Sequence, residues 1–303
     1  MGSLVLGAGG GGDIVSALLP FERLRKNGEK VVLGAILWER RVEDPVPGPI
    51  CTNDLREVEA INERVAVLGP NSYAIREGKR VIPQAARVAR ILGVNVVSFC
   101  ISGGAIGLYD DLTEIASELG IDQVIGVDAG GDILAEGTES NLLSPLADSI
   151  ALASLTKLEE SYLKTQLSVI GLGADGELEA EYLLQRISKI ASLNGLVEIL
   201  GYDESTASLV ERVLEVTITE ASALPLKAFR GLYGEVSIRN GKRRVFVSPL
   251  TSVMFTFRPR VVASISKLYE AVRNSSSLEE ANEALHQLGL ITELDRERQS
   301  KDE

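Results

Sequence analysis

Gly7-Ala8-Gly9-Gly10-Gly11-Gly12-Asp13 follows the apolar run Ser3-Leu4-Val5-Leu6 and precedes a helical pattern. Three later stretches repeat this order of apolar run, glycines and helical pattern, and two of them also carry aspartate. Because the carboxyl ends of parallel strands share one edge of an open sheet, where ligands bind, these stretches predict where the protein works. With the first, we call them the glycine exits: Ser102-Gly103-Gly104, Asp128-Ala129-Gly130-Gly131-Asp132 and Gly171-Leu172-Gly173-Ala174-Asp175-Gly176.

Strand-like and helix-like patterns alternate through the first 215 residues. This alternation predicts βαβ units, and therefore an α/β fold: a Rossmann-like open, mostly parallel sheet with helices on both faces. The expected strands are residues 3–6, 30–38, 63–68, 94–101, 123–127, 167–172 and 196–200.

The pattern changes after residue 215. Alternating residues on both sides of Asn240-Gly241 predict a β-hairpin over residues 236–247. A strand at 253–257 and helices at 261–272 and 277–288 follow, and the charged tail from residue 295 is expected to fray. We therefore predict one α/β domain over residues 1–303, with a core sheet in 1–215 and the hairpin and helices of 216–303 packed on it.

Local signals refine this outline. Residues 13–26 indicate a helix that is kinked or restarted at Pro20. Three prolines exclude regular structure from residues 42–49. Asp110 and Asp111 are expected to cap a helix that begins at Leu112.

Composition restricts the class of function. The chain has 303 residues, 45 % of them hydrophobic, and a formal net charge of -12 with a pI near 4.8. The acidic balance argues against nucleic-acid binding, and no apolar run is long enough to cross a membrane, so a cytoplasmic protein is expected.

One set of basic residues forms either a basic patch or a solvated helix face: Arg76, Lys79, Arg80, Arg87 and Arg90.

The scarcity of histidine and cysteine excludes several chemistries. His286, the single histidine, is expected on a helix surface far from the glycine exits, which argues against a Ser-His-Asp triad or a histidine-ligated zinc. Cys51 and Cys100 cannot form a disulfide framework or a CxxC metal site, and Cys100 is expected to be a small buried apolar residue. Chemistry must rest on carboxylates, other polar groups, backbone amides or a metal held by oxygen.

The first glycine exit also satisfies the pattern G-x-G-x-x-G. Glu39 follows the second strand, where dinucleotide-binding proteins carry an acidic residue, so NAD or FAD is one alternative. Asp13 would repel a pyrophosphate unless a cation lies between them, and the other alternative is a tight turn that Asp13 caps. No Gly-Lys-Ser or Gly-Lys-Thr follows any glycine exit, which excludes a P-loop.

Carboxylates dominate the exits. Asp13, Asp128, Asp132 and Asp175 each lie at or just after an expected strand end. If these strands are neighbours, the carboxylates converge, and hard oxygen ligands beside glycine amides suit Mg²⁺ and a phosphate-bearing ligand. We therefore select Asp128, Asp132 and Asp175 as catalytic and metal-binding candidates, with a cap or turn role as the structural alternative.

Other polar residues are candidates for ligand contact. The loop at 134–144, with Thr138, Glu139, Ser140 and Asn141, is either a ligand-facing lid or a solvated connection. Lys227 and Arg230 are more distant candidates. The phosphate- or ligand-binding set comprises Gly9, Gly10, Gly11, Gly12, Asp13, Gly103, Gly104, Gly130, Gly131, Asn141 and Arg76.

Three segments carry a resemblance to a known family: residues 7–13, Gly126-Val127-Asp128-Ala129-Gly130-Gly131-Asp132, and the stretch from Ala223-Leu224-Pro225-Leu226-Lys227 to Ser248-Pro249-Leu250-Thr251. Over nearly its whole length, the chain resembles an uncharacterised, mainly archaeal family with a GxGGGGD motif, catalogued as a domain of unknown function. The resemblance implies an intracellular, archaeal α/β protein and carries no established activity or catalytic roles.

Three hypotheses about function follow. The leading one is a protein that binds a phosphorylated or nucleotide-like small molecule with Mg²⁺ and catalyses phosphoryl or nucleotidyl transfer, because positioning and a metal can supply most of that catalysis without histidine. The second is a non-catalytic nucleotide sensor. The third is a structural homo-oligomer assembled through the Asn240-Gly241 hairpin.

Overall fold

The computed structural model describes residues 2–161 and 163–299 and confirms the mixed α/β fold, with a large sheet, surrounding helices and a C-terminal hairpin. The strands are β1 (Gly2–Gly7), β2 (Lys30–Ile36), β3 (Leu55–Ala60), β4 (Val65–Arg76), β5 (Lys79–Val81), β6 (Val96–Phe99), β7 (Gln123–Ala129), β8 (Lys164–Ile170), β9 (Leu196–Leu200), β10 (Gly234–Ile238), β11 (Arg243–Val247) and β12 (Met254–Phe257).

The main sheet has a parallel centre and antiparallel margins. Its order is β3-β4-β6-β2-β1-β7-β8-β12-β9, with β5 paired to β4, whereas β10 and β11 form a separate hairpin. The five central strands, from β6 to β8, run parallel, so their carboxyl ends lie along one edge of the sheet.

Helices cover both faces of the sheet. Along β1, Leu4 and Leu6 pack into one buried cluster and Val5 into the other, as expected for a strand with two buried faces. The helices are α1 (Asp13–Ser16), α2 (Leu18–Lys26), α3 (Gln84–Leu92), α4 (Gly104–Leu119), α5 (Pro145–Glu160), α6 (Ala180–Ser192), α7 (Glu204–Leu214), α8 (Ala223–Phe229), α9 (Pro259–Ala263), α10 (Lys267–Val272), α11 (Leu278–Gln287) and α12 (Glu293–Gln299).

The chain after residue 215 takes part in the main sheet. Strand β12 lies between β8 and β9 and pairs antiparallel with both. Phe255 and Phe257 are buried in the same cluster as Leu4 and Leu6, so the C-terminal part shares the core of the N-terminal part. None of the helices in the described ranges combines the length and hydropathy needed to cross a lipid bilayer.

The region between residues 55 and 81 differs from the sequence-based expectation. The expected short strand at 63–68 is instead the long strand β4, which pairs antiparallel with β3, β5 and β6. Polar residues alternate along these strands because β3 and β5 are largely exposed, and this weakens the apolar signal.

Three predicted helices differ from the structure, one of them because residues 261–272 are divided between α9 and α10. The first helix is interrupted at Ala17, while Pro20 lies in the first turn of α2, where its missing N–H is tolerated. Helix α4 begins at Gly104, so Asp110 and Asp111 lie inside it and do not cap it. Asp111 instead accepts hydrogen bonds from Arg64 Nε and Nη2, at 2.8 and 2.9 Å.

The charged tail was wrongly expected to fray, because residues 293–299 form α12; the remainder of the tail lies outside the described residues. Leu294 anchors this helix in the core and is 1 % exposed. His286 lies on the surface of α11, as predicted, with its Nε2 atom 2.7 Å from Asp295 Oδ2.

The cysteines were also misjudged. Cys100 is buried as expected, but it forms a disulfide with Cys51 and is not a free thiol. The two positions are 49 residues apart in sequence, with Cα atoms 5.0 Å apart. The disulfide joins the end of the proline-rich segment to the residue that follows β6.

Candidate functional site

Three of the four glycine exits open into one cavity of about 350 Å³. These exits follow β1, β7 and β8, which are adjacent in the sheet. The cavity is lined by Gly9, Gly10, Gly11 and Gly12, by several arginines and by ten carboxyl side chains. The carboxyl groups are Asp13, Glu39, Asp128, Asp132, Asp148, Asp175, Glu177, Glu220, Glu293 and Glu297.

Asp13, Asp128 and Asp148 form what we call the first carboxylate group. One oxygen from each side chain lies within 4.8 Å of the other two, and all three residues are buried. They come from the first turn of α1, the end of β7 and the first turn of α5. Three separate elements therefore bring carboxyl groups together at one point.

Backbone amides orient two members of the first carboxylate group. Gly9 N donates to Asp13 Oδ2 at 2.6 Å, and Gly131 N donates to Asp128 Oδ2 at 2.9 Å. Asp148 differs, because its Oδ1 atom is buried without a hydrogen-bond partner among the described residues, and the residue is only 4 % exposed. A buried, unpaired carboxylate oxygen is costly unless a ligand or proton satisfies it.

Asp132, Asp175 and Glu177 form the second carboxylate group, again with ligand atoms within 4.8 Å of one another. Glu177 Oε2 accepts from Leu143 N at 2.7 Å and Ser144 N at 3.0 Å, and its Oε1 accepts from Ser144 Oγ at 2.6 Å. Both carboxylate oxygens of Glu177 thus accept hydrogen bonds from within the protein, whereas Asp148 Oδ1 accepts none from the described residues.

Burial controls the protonation of the site. It raises the pKa of Asp13 to about 8 and that of Asp175 to about 7. Burial, with repulsion from neighbouring carboxylates, also raises the pKa of Asp128, Asp132 and Asp148 well above the ordinary value. Without a cation, Asp13 is therefore mostly protonated at neutral pH, and a cation bound among these carboxylates would favour their ionised forms.

Arginines supply positive charge to the same cavity: Arg40, Arg41, Arg239, Arg243 and Arg296. Burial lowers the pKa of Arg239, and repulsion from Arg40 and Arg243 lowers it further. Arg239 Nε is buried without a hydrogen-bond partner in the described part of the chain, although Glu220 Oε2 lies 3.9 Å away. Mutually repelling guanidinium groups beside a cavity form a favourable environment for a phosphate anion.

The predicted glycines have different roles. Gly10 and Gly11 have φ angles of 90° and 45°, so the loop needs glycine there. Gly130 and Gly131 pack against the carboxylates and do not line the cavity. A Cβ at Gly130 would lie 2.7 Å from Asp175 Cγ, so a larger residue there would displace that side chain. Helix α1 has only four residues, so its dipole contributes little to anion binding.

Several predicted ligand contacts lie elsewhere. Gly103 and Gly104 do not line the cavity, and a Cβ at Gly104 would be 2.7 Å from Ser275 O. Asn141 lies in a separate depression beside Tyr182. Arg76 is buried in ion pairs with Asp44 and Asp54, which removes it from the ligand-binding candidates.

The remaining lower-priority candidates also have other partners. Glu139 accepts hydrogen bonds from the amides of Glu136, Gly137 and Thr138, so it stabilises its own loop. Arg230 forms exposed ion pairs with Glu204 and Glu211, and Lys227 does not line the cavity.

Sequence reasoning missed Asp148, Glu177, Arg239, Arg243 and the α12 residues. Asp148 had a usable signal, because it is the only charged residue between Pro145 and Thr156, in a helix that is almost entirely buried. Arg239 and Arg243 reach the cavity only because the hairpin packs against the β8 exit. The sequence contains no local signal for that contact.

Substituting Gly7→Ala is expected to destabilise the protein by about 1–3 kcal/mol through overpacking. The added Cβ would lie 2.6 Å from Ile14 N and 2.9 Å from the carbonyl carbon of Asp13. Urea unfolding measures the loss. Gly201→Ala is the matched control, because its Cβ meets nothing within 4 Å. Equal, small changes in both variants would contradict the close contact between β1 and α1.

Comparison with known proteins identifies a family. The family model described as "Protein of unknown function (DUF1152)" matches residues 4–301, nearly the whole chain. The chain therefore belongs to this family. No match was found among curated proteins or among solved structures.

Proposed function

We propose that the protein binds a phosphorylated or nucleotide-like small molecule together with Mg²⁺ in this cavity, and that it catalyses phosphoryl or nucleotidyl transfer. The observation that supports this most strongly is the presence of two buried carboxylate groups and five arginines around one cavity of about 350 Å³. Carboxylate oxygens are preferred ligands of Mg²⁺, and arginines bind phosphate oxygens in forked geometry.

The proposed roles follow from position. The buried carboxylates that line the cavity, among them the sequence-selected Asp128, Asp132 and Asp175, are the available ligands for a cation, which when bound would neutralise charge on the phosphate. Arg239 and Arg243 bind the non-bridging oxygens. Positioning of the reacting groups together with electrostatic stabilisation accounts for most catalysis of phosphoryl transfer, and the carboxylates and arginines that line the cavity would supply both.

A dinucleotide is less well supported than a phosphate with a cation. Asp13 Oδ2 and Asp148 Oδ1 would each lie 2.7 Å from a Cβ on Gly9, so two carboxylates face the glycine loop where a pyrophosphate would lie. Glu39 is buried and accepts a hydrogen bond from Gln84 N at 2.8 Å, so its carboxylate already has a partner within the fold. NAD and FAD therefore serve as test compounds beside phosphorylated metabolites.

The proposal is tested by a thermal-shift screen of nucleotides and phosphorylated metabolites, with and without Mg²⁺. A ligand at one hundred times its Kd stabilises the fold by about 2.7 kcal/mol. We expect Arg243→Ala to weaken binding of a hit about tenfold to one-hundredfold, because a charge-assisted hydrogen bond is lost. Arg244→Ala is the matched control, since Arg244 does not line the cavity and is 77 % exposed. No hit at all, or equal losses in both variants, would refute the proposal.

One substitution separates an enzyme from a sensor. With a hit in hand, Asp132→Asn should abolish turnover if the protein is an enzyme, but should only shift affinity if it is a sensor. The archaeal distribution of the family remains an expectation from the resemblance, the cytoplasmic location remains an expectation from composition, and the homo-oligomer remains a separate hypothesis.

A further inference from the structure

We infer that the first carboxylate group, Asp13, Asp128 and Asp148, is the cation site, and that the second group is held together by internal hydrogen bonds. The inference deepens the proposed function, because it assigns the position of the cation, but it can be tested without a phosphorylated compound. It also changes the sequence-based ligand set, since Asp132 and Asp175 belong to the second group and Asp148 was not in that set.

The unpartnered oxygen of Asp148 is the first argument. Asp148 is 4 % exposed, lines the cavity, and has an Oδ1 atom without a hydrogen-bond donor among the described residues. Among these residues, the Asp148 side chain can share a hydrogen bond only with the carboxyl group of Asp132, which requires a proton on one of the two groups, and a cation would satisfy the oxygen without one. This atom and Asp13 Oδ2 converge over Gly9, where each would lie 2.7 Å from a Cβ. The lack of a side chain at Gly9 therefore lets both buried carboxylates approach the same stretch of backbone.

The spacing of the oxygens is the second argument. Two oxygens bound to opposite sides of one cation are separated by twice the metal–oxygen distance, about 4.2 Å for Mg²⁺ and about 4.6–5.2 Å for Ca²⁺. The three ligand oxygens of the first group lie within 4.8 Å of one another, as do those of the second group, so the spacing admits one cation in either group and does not by itself choose between them. The ligands are all carboxylates, which favours a hard cation such as Mg²⁺ or Mn²⁺ over zinc.

The third argument is that hydrogen-bond donors within the protein already pair with carboxylates of the second group. Leu143 N, Ser144 N and Ser144 Oγ donate to Glu177, and Arg243 Nη1 lies 3.4 Å from its Oε1 atom. Asp175 Oδ1 accepts from Glu177 N at 3.1 Å. These bonds fix the loop before α5 to the β8 exit. A cation there would have to compete with donors already in place, whereas at Asp148 it would satisfy an unpaired oxygen.

The test measures binding of Mn²⁺ alone to the full chain after treatment with EDTA, from the electron paramagnetic resonance signal of free Mn²⁺. We expect one Mn²⁺ per chain in the unsubstituted protein. Asp148→Asn should raise the Kd at least tenfold, and Glu177→Gln, the matched control in the second group, should change it less than threefold. Asp13→Asn is a second variant of the first group and should also weaken binding.

Thermal unfolding separates a lost ligand from damaged folding. In EDTA at pH 8, Asp148→Asn should melt at or above the temperature of the unsubstituted protein, because it removes a carboxyl group whose ionisation is opposed by burial and by the neighbouring carboxylates. The same variant should lose most of the stabilisation that Mn²⁺ gives to the unsubstituted protein. A purely structural role for Asp148 predicts a lower melting temperature in EDTA.

Three results would overturn the assignment: no binding of Mn²⁺, a larger loss in Glu177→Gln than in Asp148→Asn, or two Mn²⁺ ions with one lost in each variant. The assignment and the proposed function can fail separately. Mn²⁺ in the second group would refute the assignment and leave phosphate binding intact. Mn²⁺ in the first group, with no phosphorylated ligand found in the screen, would support the assignment and refute phosphate binding.

Discussion

In the absence of divalent cations, the free energy of unfolding should fall as the pH rises from about 5 to about 7. The expected slope is about 1.4 kcal/mol per pH unit for each proton that the folded state binds and the unfolded state does not. Burial raises the pKa of Asp13 to about 8, and it raises the pKa of Asp175, Glu39 and Glu293 to about 7. These groups are protonated when folded at a pH where they ionise when unfolded.

The sign follows from the raised values. Stability from such a group is complete below its unfolded pKa, near 4, and is lost as the pH passes through its folded pKa of about 7 to 8. Carboxyl groups with lowered pKa values, such as Asp203 and Asp295, titrate below this window and do not oppose the trend.

Urea unfolding in EDTA at several pH values measures this slope. Glu39→Gln is the informative variant, because it removes one raised carboxyl group outside both carboxylate groups and should make the slope shallower. Adding Mg²⁺ should stabilise the protein most at the upper end of the range, where protons no longer compete with the cation. A metal-free stability that stays flat or rises from pH 5 to pH 7 would contradict the electrostatic description of the site.

Arg76→Met should lower the free energy of unfolding by about 3–5 kcal/mol, as expected when one partner of a buried ion pair is removed. Arg76 Nε donates to both oxygens of Asp44, Nη1 donates to Asp54 Oδ2, and Nη2 donates to the carbonyls of Val46 and Gly48. Asp44 is 1 % exposed, so the substitution leaves a buried carboxylate without its counter-charge.

Arg80→Met is the control for this prediction. The Arg80 guanidinium is exposed and lies 4.0 Å from the centre of the Tyr73 ring, a contact that contributes only about 0.5–1 kcal/mol. Adding Asp44→Asn to Arg76→Met should restore part of the lost stability, because it removes the unpaired charge. If Arg76→Met unfolds at the same urea concentration as Arg80→Met, the ion pair does not hold the proline-rich segment in place.

Residues that form strands and tight turns were predictable from the sequence because their signals are local. The apolar runs at residues 3–6, 123–127 and 167–172 were identified and correspond to β1, β7 and β8, and the parallel arrangement of strands then placed their exits at one edge. Asp13, Asp128, Asp132 and Asp175 were selected for that reason, and all four line the cavity.

The residues that were missed depend on contacts between distant segments. Glu293, Arg296 and Glu297 reach the cavity because Leu294 anchors α12 in the core, whereas their sequence reads as a solvated charged tail. Arg76 was selected for the wrong role, because its charge suggested a ligand contact. Its partner Asp44 lies 32 residues away in an irregular segment, and no periodicity predicts that pairing.

The most direct test of the account is diffraction from crystals grown with Mn²⁺ and inorganic phosphate, recorded where manganese scatters anomalously. We expect one strong anomalous peak among the carboxylates of Asp13, Asp128 and Asp148, and phosphate density between that peak and the guanidinium groups of Arg239 and Arg243. A cavity without anomalous density at saturating Mn²⁺, or manganese bound only to surface carboxylates, would contradict the assignment of this cavity as a cation and phosphate site.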